Sequence, residues 1–104
     1  MADVELLWWD VCPSTQKALR TVREVLADEG LDPDAVVLRE VNTDEDAERE
    51  GFVGSPTIRI GGIEVSPAEG EPVGLSCRVY RLRDGRISPV PDHEDIRDAV
   101  RRAR

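Results

Sequence analysis

Apolar and polar positions alternate between two periods along this chain. Val4-Glu5-Leu6-Leu7-Trp8-Trp9 is an apolar run broken only by Glu5, as suits a central strand covered on both faces. Ala18, Leu19, Val22, Val25 and Leu26 then recur at helical spacing. Pro13 fits a first helical turn and Gly30 a left-handed stop, so a helix is predicted over 13–29. After the Leu31-Asp32-Pro33-Asp34 connection, Val36–Val41 reads as a second strand, and a strand–helix–strand unit of this length favours parallel pairing. Thr43, with Asp46 three residues on, has the form of a capping box and starts a short acidic helix that Gly51 ends. Ile58-Arg59-Ile60 and Ile63-Glu64-Val65, joined by Gly61-Gly62, form a hairpin signal. Residues 66–76 lack periodicity and carry two prolines and two glycines, so a loop is expected there. Strand character resumes from Cys77 to Leu82, turns at Asp84-Gly85 and returns over Arg86–Val90. Ile96, Ala99, Val100 and Ala103 mark the apolar face of a last helix capped by Asp92.

At 104 residues, 1–104 fits a single domain with one hydrophobic core. A net charge of −8 repels phosphate backbones and anionic lipid, which argues against nucleic acid and membrane surfaces as partners. The arginines at 97, 101, 102 and 104 read as a solvated basic helix end that complements the helix C-terminus. The first residues lack the basic-then-apolar order of a leader, and no window has the apolar length of a membrane span, so a cytoplasmic protein is expected. The two cysteines, at 12 and 77, are too sparse for a stapled secreted scaffold.

Cys12 carries the clearest chemical signal. It lies between the first strand and the first helix, where unsatisfied N–H groups and the helix dipole favour thiolate over thiol. A small apolar residue at a turn is the alternative reading. Asp10 either accepts a proton from the thiol or its leaving group, or caps the turn after the strand. Trp8 and Trp9 point to opposite faces, one into the core and the other towards the site. His93, the sole histidine, reads as exposed surface without a partner. No phosphate-binding glycine motif is present, since Gly61-Gly62 has no helix after it, and no cofactor or metal is expected.

The order strand, helix, strand, helix, hairpin, helix, with Cys12 at the first junction and Pro56 before the hairpin, resembles the thioredoxin fold over nearly the whole chain. Within that superfamily the chain is most similar to small bacterial thioredoxin-like proteins. They share segments like Trp9-Asp10-Val11-Cys12-Pro13, Gly54-Ser55-Pro56-Thr57 and Ser76-Cys77-Arg78-Val79-Tyr80. The resemblance implies an α/β fold with one mixed sheet of about four to five strands and helices on both faces. It implies that Cys12 is an exposed thiol facing a cis Pro56, with Trp9, Pro13, Ser55 and Pro56 binding substrate. Thioredoxins pair two cysteines three positions apart, and here the second position is Thr15, whose hydroxyl can hydrogen-bond the thiolate but cannot resolve a mixed disulfide.

Three functions follow as expectations. In the first, a thiol–disulfide oxidoreductase, Cys12 is the nucleophile, Cys77 resolves, Thr15 and Asp10 assist, and the partner is a protein or small-molecule thiol or disulfide. The second is soft-metal or organomercurial handling by Cys12, Cys77 and Asp10. The third is a non-catalytic binding module on the same scaffold. The readings diverge on one point: whether Cys77 reaches Cys12 or is buried in a strand beside Val79.

Overall fold

The structure, a computed structural model, describes residues 3–67 and 70–104. Residues 1, 2, 68 and 69 lie outside the described part, so two positions of the loop expected over 66–76 are not placed. Strand β1 (Val4–Trp8) leads to helix α1 (Thr15–Asp28), strand β2 (Val36–Glu40) and helix α2 (Asp44–Glu50). Strands β3 (Thr57–Ile60), β4 (Ile63–Glu64), β5 (Tyr80–Arg81) and β6 (Ile87–Ser88) precede helix α3 (His93–Arg102). A four-stranded mixed sheet has the order β2-β1-β3-β4, and β5 and β6 form a separate two-stranded sheet. β1 pairs parallel with β2, as the strand–helix–strand reading expects, and antiparallel with β3.

Period-two alternation in β1 separates two cores. Val4 and Leu6 face α1 and α3 in a cluster with Val22, Val25, Ile58 and Ile96. Leu7 faces the other way and packs with Val41, Ala47 and Phe52, which brings α2 onto the opposite face. Val4, Leu6 and Leu7 are each no more than 1% exposed, so β1 is covered on both faces. No helix of the described residues is long and apolar enough to cross a membrane.

The local signals act as elementary chemistry requires. Thr43 Oγ1 accepts the Asp46 N–H at 3.0 Å, and Asp92 accepts the Glu94 N–H at 2.9 Å, each satisfying a first-turn donor. Gly61 and Gly62 turn the β3–β4 hairpin with φ of +64° and +80°, a region that side chains disfavour.

Four expectations are corrected. Ser14 occupies the N-cap, so Pro13 precedes α1 rather than opening its first turn. Strand pairing over 77–82 contracts to Tyr80–Arg81, because Cys77 instead bridges to Ser55. The basic end of α3 is not merely solvated: Arg101 grips Glu29 at 2.9 and 3.1 Å and Arg97 reaches it at 3.3 Å. An acidic residue at the end of α1 opposes that helix's dipole, and the guanidinium groups of the neighbouring helix offset it. Arg101 foremost, despite opposing desolvation, keeps the Glu29 carboxyl below the ordinary carboxylate range. His93 has a partner after all, with Nε2 at 3.3 Å from the Glu24 carboxylate on α1.

Burial separates the structural positions from the tolerant ones. Leu6→Ala, at a fully buried position of the central strand, is expected to cost about 2–5 kcal/mol. Val37→Ala, on the outer strand and 46% exposed, should stay within about 0.5 kcal/mol. Urea unfolding midpoints at constant slope measure both.

Candidate functional site

Cys12 ends the turn that carries the chain from β1 to α1. The turn is closed by the Cys12 N–H donating to the Trp9 carbonyl at 3.0 Å, and Asp10 sits exposed at its outside. The thiol is 5% exposed, which corrects the exposed thiol that the resemblance implied. Its Sγ donates to the Ser55 carbonyl at 3.4 Å, across the start of β3. Ser55 precedes Pro56 through a cis peptide bond.

Ser55, itself 0% exposed, joins three segments. Its Oγ accepts the Trp9 N–H at 3.0 Å, which ties it to the end of β1. Its N–H donates to the Ser76 carbonyl at 2.7 Å, and its carbonyl accepts the Arg78 N–H at 2.8 Å. These two bonds form a parallel bridge to Cys77 and deliver that residue, sixty-five positions along the chain, to Cys12. Both cysteines are free thiols, and each sits against Ser55, Cys12 through its Sγ and Cys77 through the backbone bridge. Cys77 is exposed, so the buried-strand alternative for it does not hold.

Arg78 clamps this segment from beneath. Its guanidinium donates to Glu64 at 2.8 Å, to the Ser66 carbonyl at 2.7 Å and to Thr57 Oγ1 at 3.3 Å. It also stacks on the Tyr80 ring at 4.5 Å, while the Tyr80 hydroxyl donates to the Pro56 carbonyl. Burial pushes the Tyr80 pKa far above that of a free phenol, so the ring keeps its proton and remains a donor. Gly54 has φ of +140°, and a Cβ there would collide with the Arg78 side chain, so this glycine lets the clamp close.

The two thiols are electrostatically unlike. Burial pushes the Cys12 thiol up, but the Ser14 backbone N–H, the Cys77 thiol and the Ser55 and Ser14 side chains outweigh it, and the net shift is downward. Cys77 moves the other way, first because its hydrogen is held by the Cys12 sulfur, then through burial and the charge on Cys12. Cys12 is therefore the more acidic of the two thiols.

The expected helpers are distributed differently. Among the described residues Thr15 Oγ1 is buried without a hydrogen-bond partner, so the hydroxyl expected on the thiolate is not supplied by Thr15. Ser14 contributes instead: its side chain makes no helix cap, and its backbone N–H and hydroxyl draw the Cys12 pKa down. Cys12 itself lines a groove of about 300 Å³, together with Trp8, Asp10, Pro13, Gln16 and Leu38. Trp9 packs against the Phe52 cluster, so Trp8 is the tryptophan at the site. Among the described residues no three His, Cys, Asp or Glu gather to hold a metal ion, so Asp10 does not join the thiols as a third ligand. Ser14 and Arg78 are the two site residues that sequence reasoning missed. The Ser14 signal was its N-cap position, and that of Arg78 was a cation flanked by Cys77 and Tyr80.

Compared with known proteins, the chain matches no family model, no curated protein and no solved structure.

Two substitutions test this balance. Cys77→Ala removes one donor to the Cys12 thiolate while the Ser14 and Ser55 donors remain. The ionisation midpoint of Cys12, followed by ultraviolet thiolate absorbance, should rise. Gly54→Ala should raise it in the same direction by displacing Arg78 and its neighbour Cys77, with a stability loss of about 1–3 kcal/mol from the strained φ.

Proposed function

We propose that this protein is a thiol redox protein of thioredoxin-like fold in which Cys12 and Cys77 form a reversible disulfide. The fold assignment is supported by the order β1-α1-β2-α2-β3-β4-α3 and by a sheet in which β1 lies between a parallel and an antiparallel neighbour. The redox assignment rests on one observation: Ser55 holds two free thiols together, one through the Cys12 Sγ bond to its carbonyl and one through its bridge to Cys77, and their acidities are shifted in opposite directions. A lone reactive cysteine needs a second thiol from solution to complete exchange, whereas this pair holds its own.

The chemistry balances with an external disulfide as oxidant. Attack on a disulfide sulfur by a thiolate of the pair expels one thiolate, and closure of the Cys12–Cys77 bond expels the second. The protein loses two electrons and one thiol proton, and the external disulfide is reduced to a thiol and a thiolate. In the reverse direction Cys12 is the better leaving group because its thiolate carries the donors from Ser14 and Ser55. Such a pair cycles where thiols are otherwise kept reduced, which agrees with a cytoplasmic protein. Its partner is a thiol or disulfide, and the net charge of −8 disfavours nucleic acid and anionic membranes.

Titration of the reduced protein with a thiol oxidant, followed by mass mapping without reductant, is expected to show an intramolecular Cys12–Cys77 bond, lost in both Cys12→Ser and Cys77→Ser. Wild-type protein that yields only intermolecular products, or none, would remove the redox reading. The same outcome would leave a binding module as the alternative.

A further inference from the structure

The two sulfurs differ in access as well as acidity. Cys12 is 5% exposed, while Cys77 is exposed and forms part of the wall of a separate cavity of about 580 Å³. That volume lies in the range of small-molecule sites. Its lining includes Ser66, Glu71, Ser76 and Arg81, so serine hydroxyls, a carboxylate and a guanidinium share its wall with the thiol. Arg78 also lines it, but its guanidinium is engaged by Glu64 and the Ser66 carbonyl.

Geometry decides which sulfur an outside reagent reaches. Thiol–disulfide exchange proceeds in line, with the attacking and leaving sulfurs on opposite sides of the one attacked. An external thiolate that attacks Cys77 from the cavity expels Cys12 inward, onto the Ser14 and Ser55 donors. Attack on Cys12 would instead have to come through its smaller groove of about 300 Å³ to a residue only 5% exposed, and would expel Cys77, which has no such set of donors among the described residues. Access and leaving-group stabilisation favour the same sulfur.

We propose that Cys77, not Cys12, exchanges with the outside, and that the cavity beside it takes a low-molecular-weight disulfide carrying both amino and carboxylate groups. This inference rests on the redox reading above and assigns its direction. In oxidation the Cys77 proton passes to the Cys12 thiolate, and the Cys77 thiolate attacks the small disulfide, releasing one thiolate. Cys12 then gives its proton to that thiolate and attacks the Cys77 sulfur of the mixed disulfide, releasing the second. Two protein thiols become one disulfide, and one small disulfide becomes a thiol and a thiolate.

Cystine is the probe, used with Cys12→Ser and Cys77→Ser. Each variant's rate of mixed-disulfide formation is followed to its high-pH plateau, where the remaining thiol is fully ionised and acidity drops out of the comparison. The plateau rate at Cys77 is expected to exceed that at Cys12 by about tenfold or more, as accessible thiolates exceed buried ones. Equal plateaus, or a faster Cys12, would overturn the inference. A second measurement avoids substitution: oxidised wild type is mixed with cysteine, quenched in acid and mapped, and the adduct is expected on Cys77. An adduct on Cys12 would overturn it. Disulfide-bonded insulin reacting at Cys77 as fast as cystine would overturn the small-molecule assignment. Wild type that never closes its internal bond, while Cys77 still takes the adduct, sinks the redox pair and spares the assignment of the reactive sulfur. Wild type that closes its bond but exchanges at Cys12 does the reverse.

Discussion

Everything at this site depends on the backbone of Ser55. Its N–H and carbonyl are both committed to the chain around Cys77, its side chain to the end of β1, and its carbonyl also to the Cys12 thiol. A buried peptide group must find partners, since leaving one unpaired costs about 1–3 kcal/mol. At the start of β3 the neighbour on one side is β1, and a strand is missing on the other because β4 ends at Glu64. The segment 76–78 supplies those bonds. The hydrogen-bonding need of one residue thus brings a distant cysteine to the thiol that β1 and α1 have positioned.

Arg78 shows why that segment stays in place. A guanidinium whose side chain is 9% exposed must be paired and fully hydrogen-bonded to be tolerated. It meets the carboxylate of Glu64, two oxygens from Thr57 and Ser66, and the face of Tyr80. Loss of any one partner would leave a buried charge short of ligands, so the clamp is satisfied as a unit. Gly54 has no side chain to obstruct it.

The elements were largely legible in the sequence because the signals behind them are local. Helical spacing in α1, the Thr43 cap, the Gly61-Gly62 turn and the Asp92 cap each act within a few residues. Cys12 was legible as well, from its place between strand and helix. What failed to show involves partners far apart in the chain: the Arg97 and Arg101 pairing with Glu29, the His93 contact with Glu24, and the bridge from Ser55 to Cys77. Thr15 illustrates the difference at short range. Sequence position places its hydroxyl beside the thiol, but Ser14 and Ser55 hold the donors that reach the sulfur. The strand expected over 77–82 contracted because Cys77 pairs with a loop residue rather than a strand, a choice that periodicity does not encode.

The unequal acidity of the two thiols follows from this architecture without any charged helper. Net positive charge beside a cysteine is one way to stabilise a thiolate; here the stabilisation comes from neutral donors at a helix start and at Ser55. Neutral donors favour Cys12 as thiolate while leaving the surroundings free of a competing anion-binding site. The cost is burial, since donors can converge on one sulfur only by closing round it. A sulfur so enclosed is well placed to depart and poorly placed to be reached. Access then has to come through its partner, and Cys77 is the one that faces solvent. The same hydrogen bonds that make Cys12 reactive therefore make Cys77 necessary.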